Sequence, residues 1–379
     1  MWVRRHQRAF LYIVLLTTSI ALWIVIEHEL SRDHYLSADL AQRVSNFEAG
    51  EQAVLSPGEA RLICRAHGFT LGDIERRTKV YDLVLLSTEL DWLEIRLNTL
   101  SKYVDYFVIV ESPTTFSGKP KPLHLTENWH MFADFHHQII HRVVHDPLSS
   151  QRTWDHEDYF RDSLLKVVFP GLVGTAQEAH RGDILVISDM DEIVRPAAML
   201  LMRYCRIPAR LILRAHFYYY SFQWRHRGPQ WAHPDATTYQ GIETITPTNL
   251  RQGLLGDGWA LLSALRRWWN RGTLWNAGWH CSSCFASIDE MRTKMHSFSH
   301  QGWNTATNRE SFTLVDRVRN GKDLFGRAGE VYDKVEHNHD VPTYILAQHE
   351  QDGRFNYLLD RDGEDAGFED FAAVDRHDS

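Results

Sequence analysis

From Tyr81 onward the chain alternates between short apolar runs and stretches of helical period. Leu83-Val84-Leu85-Leu86 is a compact apolar run of the kind a strand buried on both faces requires. Thr88 and Asp91 form an S/T-x-x-[DE] helix start, and Leu90, Leu93, Leu97 and Leu100 follow at helical spacing. Tyr106-Phe107-Val108-Ile109-Val110 predicts a second strand, ending at Glu111-Ser112-Pro113, and Ile139–Val144 a third. Residues 155–168 predict a helix stopped by Pro170-Gly171, and Ile184-Leu185-Val186-Ile187 a further buried strand. Strands alternating with helices predict an α/β domain built on a parallel sheet. Leu211–Phe217 predicts one more strand, leading into Tyr218-Tyr219-Tyr220.

The flanking regions differ. Arg4, Arg5, His6 and Arg8 precede an uncharged apolar stretch from Phe10 to Ile26. Seventeen residues at about 1.5 Å each give about 25 Å, close to the thickness of a thin bilayer core. Positive charge before the run and Glu27 and Glu29 after it predict a type II anchor with a cytosolic amino terminus. No small-residue cleavage site follows the run, which favours an anchor over a signal peptide. The expected organisation is a cytosolic tail at 1–9, an anchor at 10–26, a stem at 27–79 with a short helix near 60–66, an α/β domain at 80–350, and an acidic, disordered tail at 351–379.

Composition sharpens this outline. Lys and Arg total 41 against 49 Asp and Glu, a formal charge of −8. That balance argues against nucleic acid as a partner, since a phosphate-tracking surface needs excess cations. The chain carries 13 Trp and 22 His, and seven of the Trp fall between residues 223 and 280, a density suited to flat ligands such as sugar faces. Four Cys are too few for a disulfide scaffold. In an oxidising lumen they predict disulfides, with three possible connectivities.

The chemistry concentrates in a few places. Ser188-Asp189-Met190-Asp191-Glu192 directly follows the strand 184–187. Carboxylates at i and i+2 in a loop at a strand's carboxyl end can face one hard cation, which completes its shell with water and phosphate oxygens. Asp189 and Asp191 are the metal candidates. Glu192 beside them is either a proton acceptor or a brace for the loop, and Asp257, in the turn Gly256-Asp257-Gly258-Trp259, is an alternative base. His280, in Gly278-Trp279-His280-Cys281-Ser282-Ser283-Cys284-Phe285, is a candidate ligand or phosphate contact. Asp158 and Arg161 lie three apart on one helix face. Glu111 either contacts a ribose or base edge or caps a helix.

In these same segments the chain resembles glycosyltransferase family 17. The stretches that carry the likeness are YDLVLLSTELDWLEIRLNTL at 81–100, DYFVIVESPTTFSGKPKPL at 105–123, WDHEDYFRDSLL at 154–165, ILVISDMDEI at 184–193 and GWHCSSCF at 278–285. PTYIL at 342–346 and RFNYLL at 354–359 extend it. The resemblance implies a GT-A-like, Rossmann-type nucleotide-sugar transferase domain behind a single transmembrane helix. It implies inverting transfer of N-acetylglucosamine from UDP-N-acetylglucosamine to a mannose-containing glycan or glycoprotein, in the Golgi or ER lumen. Asp189 and Asp191 then match the acidic metal motif for Mn²⁺, or Mg²⁺. Glu111, Asp158, Arg161 and His280 become donor-pocket residues. Residues 223–275 match the family pattern poorly, so the acceptor is left open. Two other classes compete: a lumenal metal-dependent phosphate- or sugar-ester hydrolase using the same carboxylates with His280, His296 and His300, and a non-catalytic glycan-binding relative.

Overall fold

A computed structural model describes residues 2–30, 32–38, 40, 44, 54–150, 152–253, 264, 268–297 and 305–372, without the side chains of 2–12, 30 and 297. Asp257, Trp259 and His300 lie outside the described residues.

In chain order the elements are α1 (Trp2–Leu30), β1 (Asp33–Tyr35), α2 (Pro57–Ala66), β2 (Thr70–Leu71), β3 (Val80–Leu86), α3 (Leu90–Leu100), β4 (Tyr106–Glu111), α4 (His124–Glu127) and β5 (Ile139–Val143). Then come α5 (Thr153–Lys166), β6 (Ile184–Ser188), β7 (Glu192–Val194), α6 (Pro196–Tyr204), β8 (Cys205–Arg206), β9 (Arg210–Tyr219), β10 (Ser221–His226), β11 (Asp235–Thr238) and α7 (Pro247–Arg251). The chain continues with β12 (Arg271–Ser282), α8 (Ile288–Ser297), α9 (Ser311–Arg319), β13 (Tyr332–Lys334) and α10 (Thr343–Asp352).

The main sheet runs β1-β12-β9-β11-β6-β3-β4-β5. From β5 through β6 the neighbours are parallel, and β9 and β12 are parallel to each other. Within this path β11 runs antiparallel to both β6 and β9. Counting from β3, the four parallel strands stand in the order 3-2-1-4. This is the Rossmann order, and its switch point lies between β3 and β6, where crossover helices leave in opposite directions and open a crevice. The two faces of β3 are covered by different layers: Val84 and Leu86 pack with α3 and α6, whereas Tyr81 and Leu83 pack with α5. A third cluster joins Tyr219 and Tyr220 to α8, α9 and Phe368.

Helix α3 begins one residue later than the Thr88 signal implies. Glu89 occupies its N-cap position, and its carboxylate accepts from the Ser87 and Thr88 amides. Helix α2 carries a capping box, Ser56 with Glu59, which explains its firm start at Pro57.

The flanks pack more closely than their composition predicts. In the segment read as a stem, β1 pairs in parallel with β12, Leu36 is buried, and Cys64 is joined to Cys205. The expected disordered tail is packed as far as the structure describes it. Arg361, fully buried, donates to the carbonyls of Tyr220, Phe285 and Ala366, and Tyr357 donates to Asp91. A few buried anchors of this kind outweigh an acidic average composition. The predicted anchor lies within α1, yet among the described residues no helix is long and apolar enough to cross a membrane. The second disulfide joins Cys281 and Cys284.

Candidate functional site

The switch point positions three strand ends around one cavity of about 290 Å³. Ser87 follows β3, Ser112 and Thr115 follow β4, and Asp189 and Asp191 follow β6; all line it. Phe116, Phe160 and Trp154 give it an apolar lining. Lys121, Arg161 and Lys294 bring cations to the same space, with Glu89 and Glu157 among them.

The loop that carries Asp189 and Asp191 is held from beneath by a buried ion pair. Asp82 in β3 and Arg96 in α3 are both fully buried, joined through Nε and Nη2 at 2.6 and 2.8 Å. Arg96 also donates to the carbonyls of Asp189, Met190 and Glu192, at 3.2, 3.3 and 3.0 Å, and to Ser188 Oγ. One planar guanidinium thus fixes the backbone of the whole loop, a task its fork of donors suits. The signal was present in the sequence: Asp82 interrupts the apolar run of β3, and Arg96 the apolar face of α3.

Above the loop a second guanidinium ties the side chains. Arg251, at the end of α7, reaches Asp189 Oδ2 at 3.0 Å and Glu192 Oε2 and Oε1 at 2.8 and 3.1 Å. Arg161 reaches Asp189 Oδ1 at 3.2 Å. Burial opposes ionisation of Asp189, but Arg251 and Arg161 together hold its carboxyl below the ordinary range. Glu192, unlike the part-exposed Asp189, is fully buried, and Arg251 holds it well below that range. Arg251 has no sequence pattern that marks it; only the fold brings it to the loop.

The Asp191 carboxylate behaves differently. Burial raises it above the ordinary range, with His280 and Lys294 pulling partly back. Its Oδ1 lies 3.8 Å from His280 Nε2, and among the described residues it accepts no hydrogen bond. Lys294, on α8, lies 3.2 Å from Glu89. Burial works against its charge, yet Glu89 and Asp191 carry the ammonium above the ordinary lysine range.

The remaining sequence candidates divide sharply. Arg161 and His280 line the cavity. His280 faces Glu192 across the β7–β12 ladder and Phe217 across β9–β12, and it stacks on the Phe217 ring at 5.0 Å. Glu111 does not reach the cavity. Its carboxylate accepts from the Leu125 and Thr126 amides at 2.8 and 3.2 Å and so caps α4. Asp158 also turns away, toward Gln252 at 3.3 Å, because its place on α5 faces α7. Glu192 is not placed as a base: its oxygens take Trp231 Nε1 at 2.7 Å, the Asp189 amide at 2.8 Å and Arg251. It is the brace of the loop. Trp279, one of the seven Trp between 223 and 280, is buried, with Arg195 over its ring and its Nε1 on Asp340.

As for a metal, Asp191 presents one open carboxylate to the cavity, whereas Asp189 has both oxygens on guanidinium groups. Mg²⁺ or Mn²⁺ accepts one or two carboxylates when phosphate and water complete the shell, so this donor set fits a cation held by Asp191 and a ligand. Among the described residues no group of three His, Cys, Asp or Glu stands ready to hold a metal alone.

A Rossmann-type sheet, an acidic loop at its switch point and a cation-lined cavity beside that loop define an α/β domain with a cavity at its strand ends. The sequence profile of glycosyltransferase family 17 matches residues 4–258 and 267–359. The chain belongs to glycosyltransferase family 17. It is similar to the β-1,4-mannosyl-glycoprotein 4-β-N-acetylglucosaminyltransferases of Homo sapiens, Rattus norvegicus and Mus musculus. Each is 25% identical over 328 residues, covering 80% of this chain and 57% of the relative. The chain therefore spans somewhat more than half the length of the relatives it matches.

Proposed function

We propose that this protein is an inverting N-acetylglucosaminyltransferase with a GT-A-like domain, using UDP-N-acetylglucosamine and a mannose-containing glycan or glycoprotein acceptor. The observation that carries the reading is the cavity at the switch point, which Asp191, Arg161 and Lys294 line together. The names of the mammalian relatives support the transferred N-acetylglucosamine and the mannosyl-glycoprotein acceptor.

In this reading the rings of Phe116, Phe160 and Trp154 receive the base, and the cations in the lining receive the diphosphate. Arg161 and Lys294 stabilise the negative charge that grows on the departing diphosphate. A divalent cation held by Asp191, Mn²⁺ by preference, supplies Lewis-acid neutralisation of that same charge when bound. Arg96 and Arg251 do no chemistry. They hold the loop so that Asp191 keeps its position through the reaction.

The two disulfides fit an oxidising compartment, which supports a secretory-pathway lumen. The uncharged run 10–26 within α1 supports the anchor reading, and resistance to alkaline carbonate extraction tests it.

The central test is a glycan-acceptor array with UDP-N-acetylglucosamine, with and without EDTA, beside a panel of other UDP-sugars. Transfer from one donor, lost in EDTA and restored by Mn²⁺, is the expected result. Asp191→Ala should abolish transfer in a protein that still unfolds at the wild-type midpoint. Undiminished transfer by that variant sinks the metal assignment, and phosphate release from simple esters would favour a hydrolase.

A further inference from the structure

A second cavity, of about 510 Å³, adjoins the first across a shared wall. The wall consists of Trp231, His280, Ser282 and Lys294, which line both spaces. Its other surfaces are of two kinds. Phe217, Tyr219 and Phe325 offer aromatic faces, while Gln230, His226 and Glu330 offer hydrogen-bonding groups. Aromatic faces with a few directional polar groups suit a neutral sugar ring, whose C–H faces are apolar and whose rim is hydroxyl. The cations of this cavity are already engaged: Arg327 with Asp323 at 2.6 Å, Lys294 with Glu89 at 3.2 Å, and Arg214 with the Gln230 carbonyl at 2.9 Å.

Three features mark this space as the place where the second substrate meets the first. Trp231 is locked in the wall by its indole N–H on Glu192, so the loop that shapes the first cavity also shapes the second. His280 is more than nine-tenths buried in the wall, and its Nδ1 has no hydrogen-bond partner among the described residues. Glu330 is the only Asp or Glu lining the second cavity among the described residues, and its Oε2 lies 3.0 Å from His226 Nε2. The segment that presents Glu330 is tied down on its far side: Arg227 donates its amide to Val331, and β13 pairs with β10.

We propose that the second cavity is the acceptor-sugar subsite and that Glu330 is the carboxylate that takes the proton from the acceptor hydroxyl, with His226 positioning it. The inference rests on the transferase reading above and adds its missing base. In the step, the acceptor oxygen forms a bond to the anomeric carbon as the bond from that carbon to the diphosphate oxygen breaks. The leaving diphosphate keeps the electron pair, and the hydroxyl proton passes to Glu330. Inversion follows because the acceptor oxygen approaches the anomeric carbon on the face opposite the departing diphosphate, where the two cavities meet at Trp231 and His280. No base from the acidic loop is needed, which agrees with the complete occupation of Glu192.

The experiment uses the full chain with UDP, Mn²⁺ and a mannose-terminated N-glycan. UDP titration of the wild type tests the donor reading by itself, and its failure leaves the glycan measurement standing. Glycan binding, followed by saturation-transfer NMR with and without UDP, tests the subsite without turnover. Glu330→Gln should keep UDP affinity within about twofold and acceptor KM near wild type while kcat falls by about 100-fold or more. Glu330→Asp should recover part of that kcat. Phe325→Ala should raise the acceptor KM by about fivefold with UDP affinity unchanged. Glycan binding absent from the wild type, or unaltered by Phe325→Ala, would overturn the subsite. Transfer by Glu330→Gln within about threefold of wild type would overturn the base.

Discussion

Replacement of Arg96 tests how the acidic loop is held. Arg96→Met leaves the Asp82 carboxylate buried and unpaired, which costs about 3–5 kcal/mol. It also strips a donor from three loop carbonyls, of Asp189, Met190 and Glu192. A buried acceptor left unsatisfied costs about 1–3 kcal/mol, though neighbouring losses do not simply add. A total loss of at least about 5 kcal/mol is therefore expected, comparable with the whole stability of many domains. Because that variant can fail to fold, Arg96→Lys is the companion. It keeps the charge beside Asp82 but cannot fork to the carbonyls, and should cost about 2–3 kcal/mol. Urea unfolding followed by tryptophan fluorescence measures both, and UDP titration of the lysine variant reads the loop directly. Asp82→Asn combined with Arg96→Met removes the stranded charge and should unfold later than Arg96→Met alone. Arg96→Met within about 1 kcal/mol of the wild type would refute the reasoning, since it would mean that neither the buried charge nor the carbonyls depended on the guanidinium.

Two further outcomes follow from the same structure. Cys64→Ser with Cys205→Ser opens a link between residues 141 apart in sequence and should lower stability by about 4 kcal/mol, read from the urea midpoint against a wild type kept oxidised. A variant as stable as the wild type would show that the link adds nothing to the packing of α2. Asp340 is held below the ordinary carboxylate range: burial opposes this, but His216 and Arg195 outweigh it. A folded-state pKa below the unfolded one gives stability that is present above the unfolded value of about 3.9 and fades as pH falls below it. Asp340→Asn should therefore unfold earlier than the wild type at pH 6, with the gap narrowing on acidification; a gap that widens in acid would reverse the assignment.

Much of the fold was legible because burial leaves a periodic trace. The runs at 83–86, 106–110 and 184–187 became β3, β4 and β6, and the leucine spacing after Thr88 became α3. The acidic loop was legible for the same reason, since a carboxylate pair directly after a buried strand has to emerge at the sheet's carboxyl edge. Arg161 and His280 stood out in their motifs, gained a donor-pocket role from the family likeness, and do line the cavity. Asp158 and Glu111 were given the same role and do not, although for Glu111 the alternative reading as a helix cap is the one observed. Proximity in a motif fixes a residue's element, and the direction of its side chain depends on what packs there: the α4 amides for Glu111 and α7 for Asp158.

The sequence by itself determined the alternation of strands and helices, the place of the acidic loop and membership of the family, all of which rest on local pattern or motif order. The tertiary structure decided which groups meet. Arg96, Arg251 and Trp231 converge on a loop from positions 93, 62 and 39 residues away, and Glu330 and Phe325 approach the wall from beyond α9. No local pattern records such approaches, because the free energy that fixes them comes from desolvated contacts between segments that are neighbours only after the chain has folded.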